Sequence, residues 1–108
     1  MHLDPAFGRE AGGYKARPVV VVSIDDVHQR TRLVTVVPGT TTPPRAHFRN
    51  FIEVLRDSTN NLSEKTYFQC HQIRALDQGR MTAQPIGSLA PRDLRRIEEA
   101  LRFILGLP

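Results

Sequence analysis

Pro18 is followed by four valines, Val19-Val20-Val21-Val22, with Ile24 one serine later. β-branched side chains are stiff at χ1 and suit a pleated strand better than a helix. A run with no polar alternation offers no face to water, so it predicts a strand covered on both sides. Leu33-Val34-Thr35-Val36-Val37 repeats the pattern and predicts a second buried strand, ended by Pro38 and Gly39. Between the two, Asp25-Asp26 and His28 predict a polar turn. A chain with two such strands must build a sheet and find cover for it, which rules out a purely helical fold.

The other segments fit around that sheet. Residues 1–17 carry Asp4-Pro5, Gly8 and Gly12-Gly13, and read as a loop. Thr40 to Ala46 contains Pro43 and Pro44 and reads as a second loop. Phe48 to Leu55 alternates roughly as a strand, residues 57–65 form a polar connection, and Tyr67 to Ile73 reads as a strand. Ala75 to Arg80 reads as a turn and Ala83 to Leu89 as a short last strand. Leu94, Ile97, Leu101, Ile104 and Leu105, with Ala100 beside them, recur at helical spacing and predict one amphipathic helix over 91–105. Pro91 suits its first turn, Asp93 its dipole, and Gly106 its stop. Arg92, Arg95, Arg96, Glu99 and Arg102 fall on the far side as a solvated stripe, and Phe103 also points away from the core. The expectation is a single domain, 1–108, mainly β: a small antiparallel β-structure, with a barrel as one form open to it, closed by a C-terminal α-helix.

Charge narrows the partner. The 108 residues carry a net charge of +4, and thirteen of the fifteen basic residues are arginine. Arginine forks onto phosphates and stacks on bases, so a polyanion such as RNA is a candidate partner. A GC-rich genome also enriches arginine, so composition alone leaves the partner open. No apolar run is long enough for a membrane, no leader pattern opens the chain, and the single cysteine, Cys70, fits a reducing cytoplasm. Cys70 and four scattered histidines (His2, His28, His47, His71) show no metal-ligand spacing, so no metal or other cofactor is expected. On a strand, Cys70 and His71 point to opposite faces, which disfavours a nucleophilic pair.

A set of polar residues flanks the strand ends: Arg17 before the first, Thr40 and Thr41 after the second, His71, Gln72 and Arg74 at the end of a third. Each can be a rim residue satisfying a turn. Together they also form a kit for phosphates and base edges: a guanidinium, hydroxyls, an imidazole and an amide.

The order of these residues resembles one family. Arg17-Pro18-Val19-Val20-Val21-Val22-Ser23, Val36-Val37-Pro38-Gly39-Thr40-Thr41 and Cys70-His71-Gln72-Ile73-Arg74-Ala75-Leu76-Asp77 are similar to segments of the MazF/PemK toxins. Leu3-Asp4-Pro5, Gly8-Arg9-Glu10, and the tail from Ile86-Gly87-Ser88-Leu89 through Glu99-Ala100-Leu101 to Leu105-Gly106-Leu107 continue the likeness over nearly the whole chain. The resemblance implies an SH3-like barrel of the CcdB/PemK plasmid-maintenance toxin type, a homodimer, and silencing by an acidic MazE-like antitoxin. It implies metal-independent, sequence-specific cleavage of single-stranded RNA through attack by the ribose 2′-hydroxyl, leaving a cyclic phosphate and a 5′-hydroxyl. The family's catalytic arginine and threonine fall on Arg17 and Thr40. Its substrate-contacting loop falls on Arg9 and Glu10, and its base-reading pair on His71 and Gln72; Thr41 and Arg74 complete the expected substrate contacts.

Three departures stand beside the likeness. Only Met1 and His2 precede Leu3, so the first strand is expected to be truncated. Tyr14-Lys15-Ala16 fills a place that one residue usually takes, and His71 replaces an acidic residue of the base-reading pair. Two other readings follow: a non-enzymatic CcdB-like toxin that binds a protein such as gyrase, and an inactive relative that binds only its antitoxin.

Overall fold

The computed structural model describes residues 17–46, 48–81 and 86–108, and residues 6–10 by their backbone. Among the described residues seven strands and two α-helices follow one another. They are β1 (Ala6–Glu10), β2 (Arg17–Val21), α1 (Asp25–Thr31), β3 (Leu33–Thr40), β4 (Phe51–Val54), β5 (Thr66–Gln69), β6 (Arg74–Asp77), β7 (Gly87–Ser88) and α2 (Pro91–Leu105). The strands run β4-β5-β3-β2-β1-β7, with β6 also paired to β3, and the pairings are antiparallel. Among the described residues the sheet is not closed, so the expected barrel is an open sheet packed on a helix. It is mainly β with a C-terminal helix, as the sequence predicted.

The valine run is buried on both faces because it serves two cores. Val20 and Val37 join Ile52, Val54, Leu62, Phe68, Cys70 and Leu89 under Leu94, Ile97, Ala100 and Leu101 of α2. Val19 packs on the opposite face with Val34, Val36 and Leu76, and Val21 and Met81 lie against them. The two-residue period of a strand sends alternate valines to opposite sides. α2 keeps its predicted bounds, except that Leu105 is exposed. Gly106 ends it at φ 66°, with Leu107 N–H donating to Arg102 O at 2.8 Å, a Schellman closure. Asp93 is buried, not merely near the helix dipole; Arg96 bonds its carboxylate at 3.0 Å and the Glu53 carbonyl at 2.8 Å, tying α2 to β4.

Several local expectations are corrected. The supposed opening loop contains β1, which pairs with β2 and β7, while the place of a strand before Leu3 lies outside the described residues. The polar turn after the valines is α1, a seven-residue helix with no buried residue. Its Asp25 and Asp26 occupy the first turn, and Ser23 Oγ bonds His28 Nε2 at 2.6 Å. The strand predicted from Phe48 starts at Phe51, and Phe48 is exposed. Ala75 to Asp77, read as a turn, belongs to β6, and the one-turn 3₁₀ helix Gln78–Arg80 follows it. Of the last predicted strand, Gly87–Ser88 is β7, while residues 83–85 lie outside the described residues.

Two further corrections shape the site. Pro38 and Gly39 do not end β3, which runs on to Thr40. Thr35 directs its N–H to Ser23 Oγ (2.8 Å) and its carbonyl to Val22 N–H (2.9 Å), both on the β2 side. By alternation Pro38 faces the other edge, where β6 pairs only as far as Val36 and β5 begins at Gly39. The missing proline donor therefore falls in a gap in the ladder. The third strand predicted from Tyr67 to Ile73 is interrupted at that gap by a 3₁₀ turn, Cys70–Gln72. Cys70 is buried and His71 exposed, as expected, but a turn rather than strand alternation separates them.

Candidate active site

Strand register lines up half of the eight predicted residues. Glu10 pairs with Arg17 across β1 and β2, and Thr40 pairs with Tyr67 across β3 and β5. Between those pairs, β2 and β3 align Val21 with Val36, Val20 with Val37 and Val19 with Pro38. Continued two residues further, the same register sets Arg17 opposite Thr40. Glu10, Arg17, Thr40 and Tyr67 then stand in one lateral row of the backbone, in which Arg17, Thr40 and Tyr67 share a face at a Cβ spacing of roughly 5 Å. Tyr67 pairs onward with Glu53 of β4.

The face is the one turned away from α2. Arg17 lies two residues from Val19 and Thr40 four from Val36, and both valines belong to the core on that side. Arg74, opposite Val36, shares the face. It stands about 13 Å from Thr40 along the sheet, at some 3.3 Å per residue. Arg17 and Arg74 are exposed and Thr40 is half-buried. Thr40 Oγ1 accepts the Thr42 N–H at 3.2 Å, which occupies a lone pair and leaves the hydroxyl proton to be donated elsewhere. Thr41 is exposed beside it.

His71 reaches the same side through Phe51. Ile52 and Val54 point into the core under α2, so Phe51 and Glu53 point the other way. The His71 ring stands edge-on to Phe51, with centroids 5.1 Å apart. Its Nδ1 bonds Asn50 Nδ2. Gln72 is exposed at the end of the same turn. Arg9 and Glu10 are placed by the β1 backbone, with Arg9 opposite Pro18; their side chains lie outside the described residues. Asn50, Phe51 and Tyr67 were not singled out from the sequence. Only Phe51 carried a signal, as an aromatic residue in a strand that flanks a polar loop.

Among the described residues no group of three or more His, Cys, Asp or Glu could hold a metal ion. Among them, too, no helix is long and apolar enough to cross a membrane. Burial alone pushes the Cys70 thiol up to about 12, so it is no nucleophile at neutral pH.

Residues 1–105 match the family described as PemK-like, MazF-like toxins of type II toxin–antitoxin systems. The chain belongs to the PemK/MazF toxin family. It is 36% identical over 110 residues to Endoribonuclease MazF9 of Mycobacterium tuberculosis (strain ATCC 25618 / H37Rv), covering 97% of this chain and 89% of that one. Its fold superposes with a TM-score of 0.78 on a mycobacterial endoribonuclease solved in complex with its cognate antitoxin, at 26% identity over 100% of this chain and 98% of the other. Mycobacterium tuberculosis toxin MazF-mt6 gives the same TM-score at 23% identity, covering 95% and 98% of the two chains. The family is the one that the sequence segments resembled, and PemK/MazF membership favours it over the gyrase-binding alternative.

Proposed function

We propose that this PemK/MazF toxin is a sequence-specific endoribonuclease, working as one cytoplasmic domain, 1–108, on single-stranded RNA without a metal. The observation that carries the reading is the row in which Glu10, Arg17 and Thr40 occupy adjacent strands. In-line attack by a ribose 2′-oxygen forms a new P–O bond, and the bond to the 5′-oxygen breaks. The products are a cyclic phosphate and a 5′-hydroxyl. Arg17 forks onto the non-bridging oxygens, where negative charge builds. A guanidinium offers no acceptor, so it is not the base. Thr40 donates its free hydroxyl proton to the same group. Glu10, beside Arg17 in the register, is the carboxylate suited to take the 2′-hydroxyl proton, the departing 5′-oxygen takes a proton from water, and His71 contacts a base. Arg9, Thr41, Gln72 and Arg74 contact the strand on either side.

The toxin acts as a homodimer and is silenced by an acidic, partly disordered antitoxin of the MazE kind that lies over the Arg17/Thr40 face. A flexible acidic segment can cover a broad surface and cancel its field at once, so its binding weakens steeply with salt. The decisive test is incubation of a long single-stranded RNA with the protein in EDTA, followed by mapping of the 5′ ends. Discrete cuts with 5′-hydroxyl ends are expected. Loss of cleavage in EDTA, restored by magnesium or zinc, overturns the metal-free mechanism, and intact RNA under all conditions favours an inactive relative that binds only its antitoxin.

A further inference from the structure

We propose that Asn50 is a positioning residue that holds His71 with its proton on Nε2, so that the imidazole meets an RNA base as a hydrogen-bond donor. The proposal rests on the reading of the Arg17/Thr40 face as the RNA site.

Asn50 is 6% exposed, and two of its groups act on the turn that carries His71. Its carbonyl accepts the Cys70 N–H at 2.9 Å, which starts the turn. Its carboxamide Nδ2 meets His71 Nδ1. An amide nitrogen only donates, so Nδ1 must accept, and in a neutral imidazole the proton then sits on Nε2. Among the described residues the buried Asn50 Oδ1 atom has no hydrogen-bond partner. Turning the amide over would bury an N–H₂ group there instead, replacing one lone acceptor by two lone donors, the costlier omission. With Nδ1 held and the ring braced edge-on by Phe51, the exposed His71 has one polar atom left for a ligand, Nε2–H.

The hydrogen-bonding sense has a chemical consequence. A donor at this place, reading the O4/O6 edge, favours uracil or guanine, whose oxygen there accepts, over cytosine or adenine, which carry an amino group at the same position. A carboxylate here would select the opposite way, since it only accepts.

The test pairs a spectroscopic measurement with a cleavage assay. Long-range nitrogen–proton NMR of the intact protein at neutral pH should show His71 protonated at Nε2. Cleavage of a randomised single-stranded RNA pool should then show one position at which uracil or guanine is preferred by about tenfold or more. Asn50→Leu, close in volume, should release the ring and shrink that preference to within about threefold, while His71→Asp should reverse it towards adenine or cytosine. Proton on Nδ1 in the wild type, or a folded Asn50→Leu protein with the wild-type base preference, overturns the proposal. The NMR result stands even if a variant fails to fold. Undiminished cleavage by Arg17→Ala would instead count against the site itself, so the two failures are distinguishable.

Discussion

Gly39 crosses the ring of Phe68 at a separation that leaves no room for a side chain: a β-carbon on Gly39 would stand 3.0 Å from Phe68 Cε1 and 2.6 Å from Thr66 Cγ2. The two residues are paired in register, and Thr40 is the next residue along β3. Gly39→Ala should therefore destabilise the protein by about 1–3 kcal/mol through overpacking. It should also lower kcat beyond what lost folded protein explains, because Thr40 must shift with the strand. Denaturant unfolding and kcat measured on the folded fraction test both parts, and wild-type values for both would contradict the close approach.

Arg17→Ala should abolish RNA cleavage and leave the fold intact. Arg17 is exposed, so it contributes little to packing, while loss of the main contact to the phosphorane should cost about 3 kcal/mol or more. That corresponds to roughly a hundredfold or greater fall in rate. A folded variant that cuts at the wild-type rate would sink the assignment.

Asn60 should be among the most sensitive positions for stability. Its side chain is 1% exposed; Oδ1 accepts from the backbone N–H of Asp57 and of Leu62, both at 3.0 Å, and Nδ2 donates to Leu55 O at 2.9 Å. Asn60→Ala leaves three backbone groups without partners and should cost about 3 kcal/mol, a melting-point drop of roughly 10–20 °C. Thermal unfolding by circular dichroism measures it, and a drop under a few degrees would contradict the role.

Cys70 gives a prediction in pH. Burial raises its thiol from the ordinary value of 9.0 to about 12. The unfolded chain can ionise at the ordinary value and the folded one cannot. This contribution to stability is therefore present below the ordinary thiol range and is lost as pH climbs towards 12. At pH 8 iodoacetamide should modify Cys70 only after denaturant is added; rapid labelling of the native protein would contradict its burial.

Phe103 and Phe48 remain 42% and 60% exposed, with ring centroids 6.0 Å apart and the Arg49 guanidinium 4.0 Å from the Phe103 centroid. If this aromatic cluster lies in the dimer interface, Phe103→Asp should give monomers, since burying an unpaired carboxylate costs several kcal/mol. Sedimentation decides the matter. A monomeric wild type removes the dimer, and an unaltered dimer in the variant removes Phe103 from it.

What the sequence disclosed follows from where the forces act. α2 was legible because its period, Pro91 and Gly106 are local signals, and the valine run because a strand buried on both faces needs no polar alternation. α1 was not, since none of its seven residues is buried. It is tethered instead by contacts such as Gln78 Nε2 to His28 O, 50 residues apart in the chain. Pro38 and Gly39 looked like a strand's end because the gap and the ring that accommodate them belong to distant segments. Arg17 and Thr40 stood out only as rim residues until the family resemblance ordered them. The Asn50–His71 pair spans 21 residues and depends on a turn that reads locally as strand.

β3 takes partners from β2 before it in the chain and from β5 and β6 after it, and α2 follows every strand. On a growing polypeptide, then, Thr40 has no fixed position when it is made. Its strand gains a second neighbour at Thr40 only when β5 is complete at residue 69, and along Leu33–Val36 only at residue 77, and the core beneath stays open until residue 105 is complete. Synthesis itself thus imposes a delay: the sheet that sets Arg17 beside Thr40 can gain its full support only when most of the chain has been made.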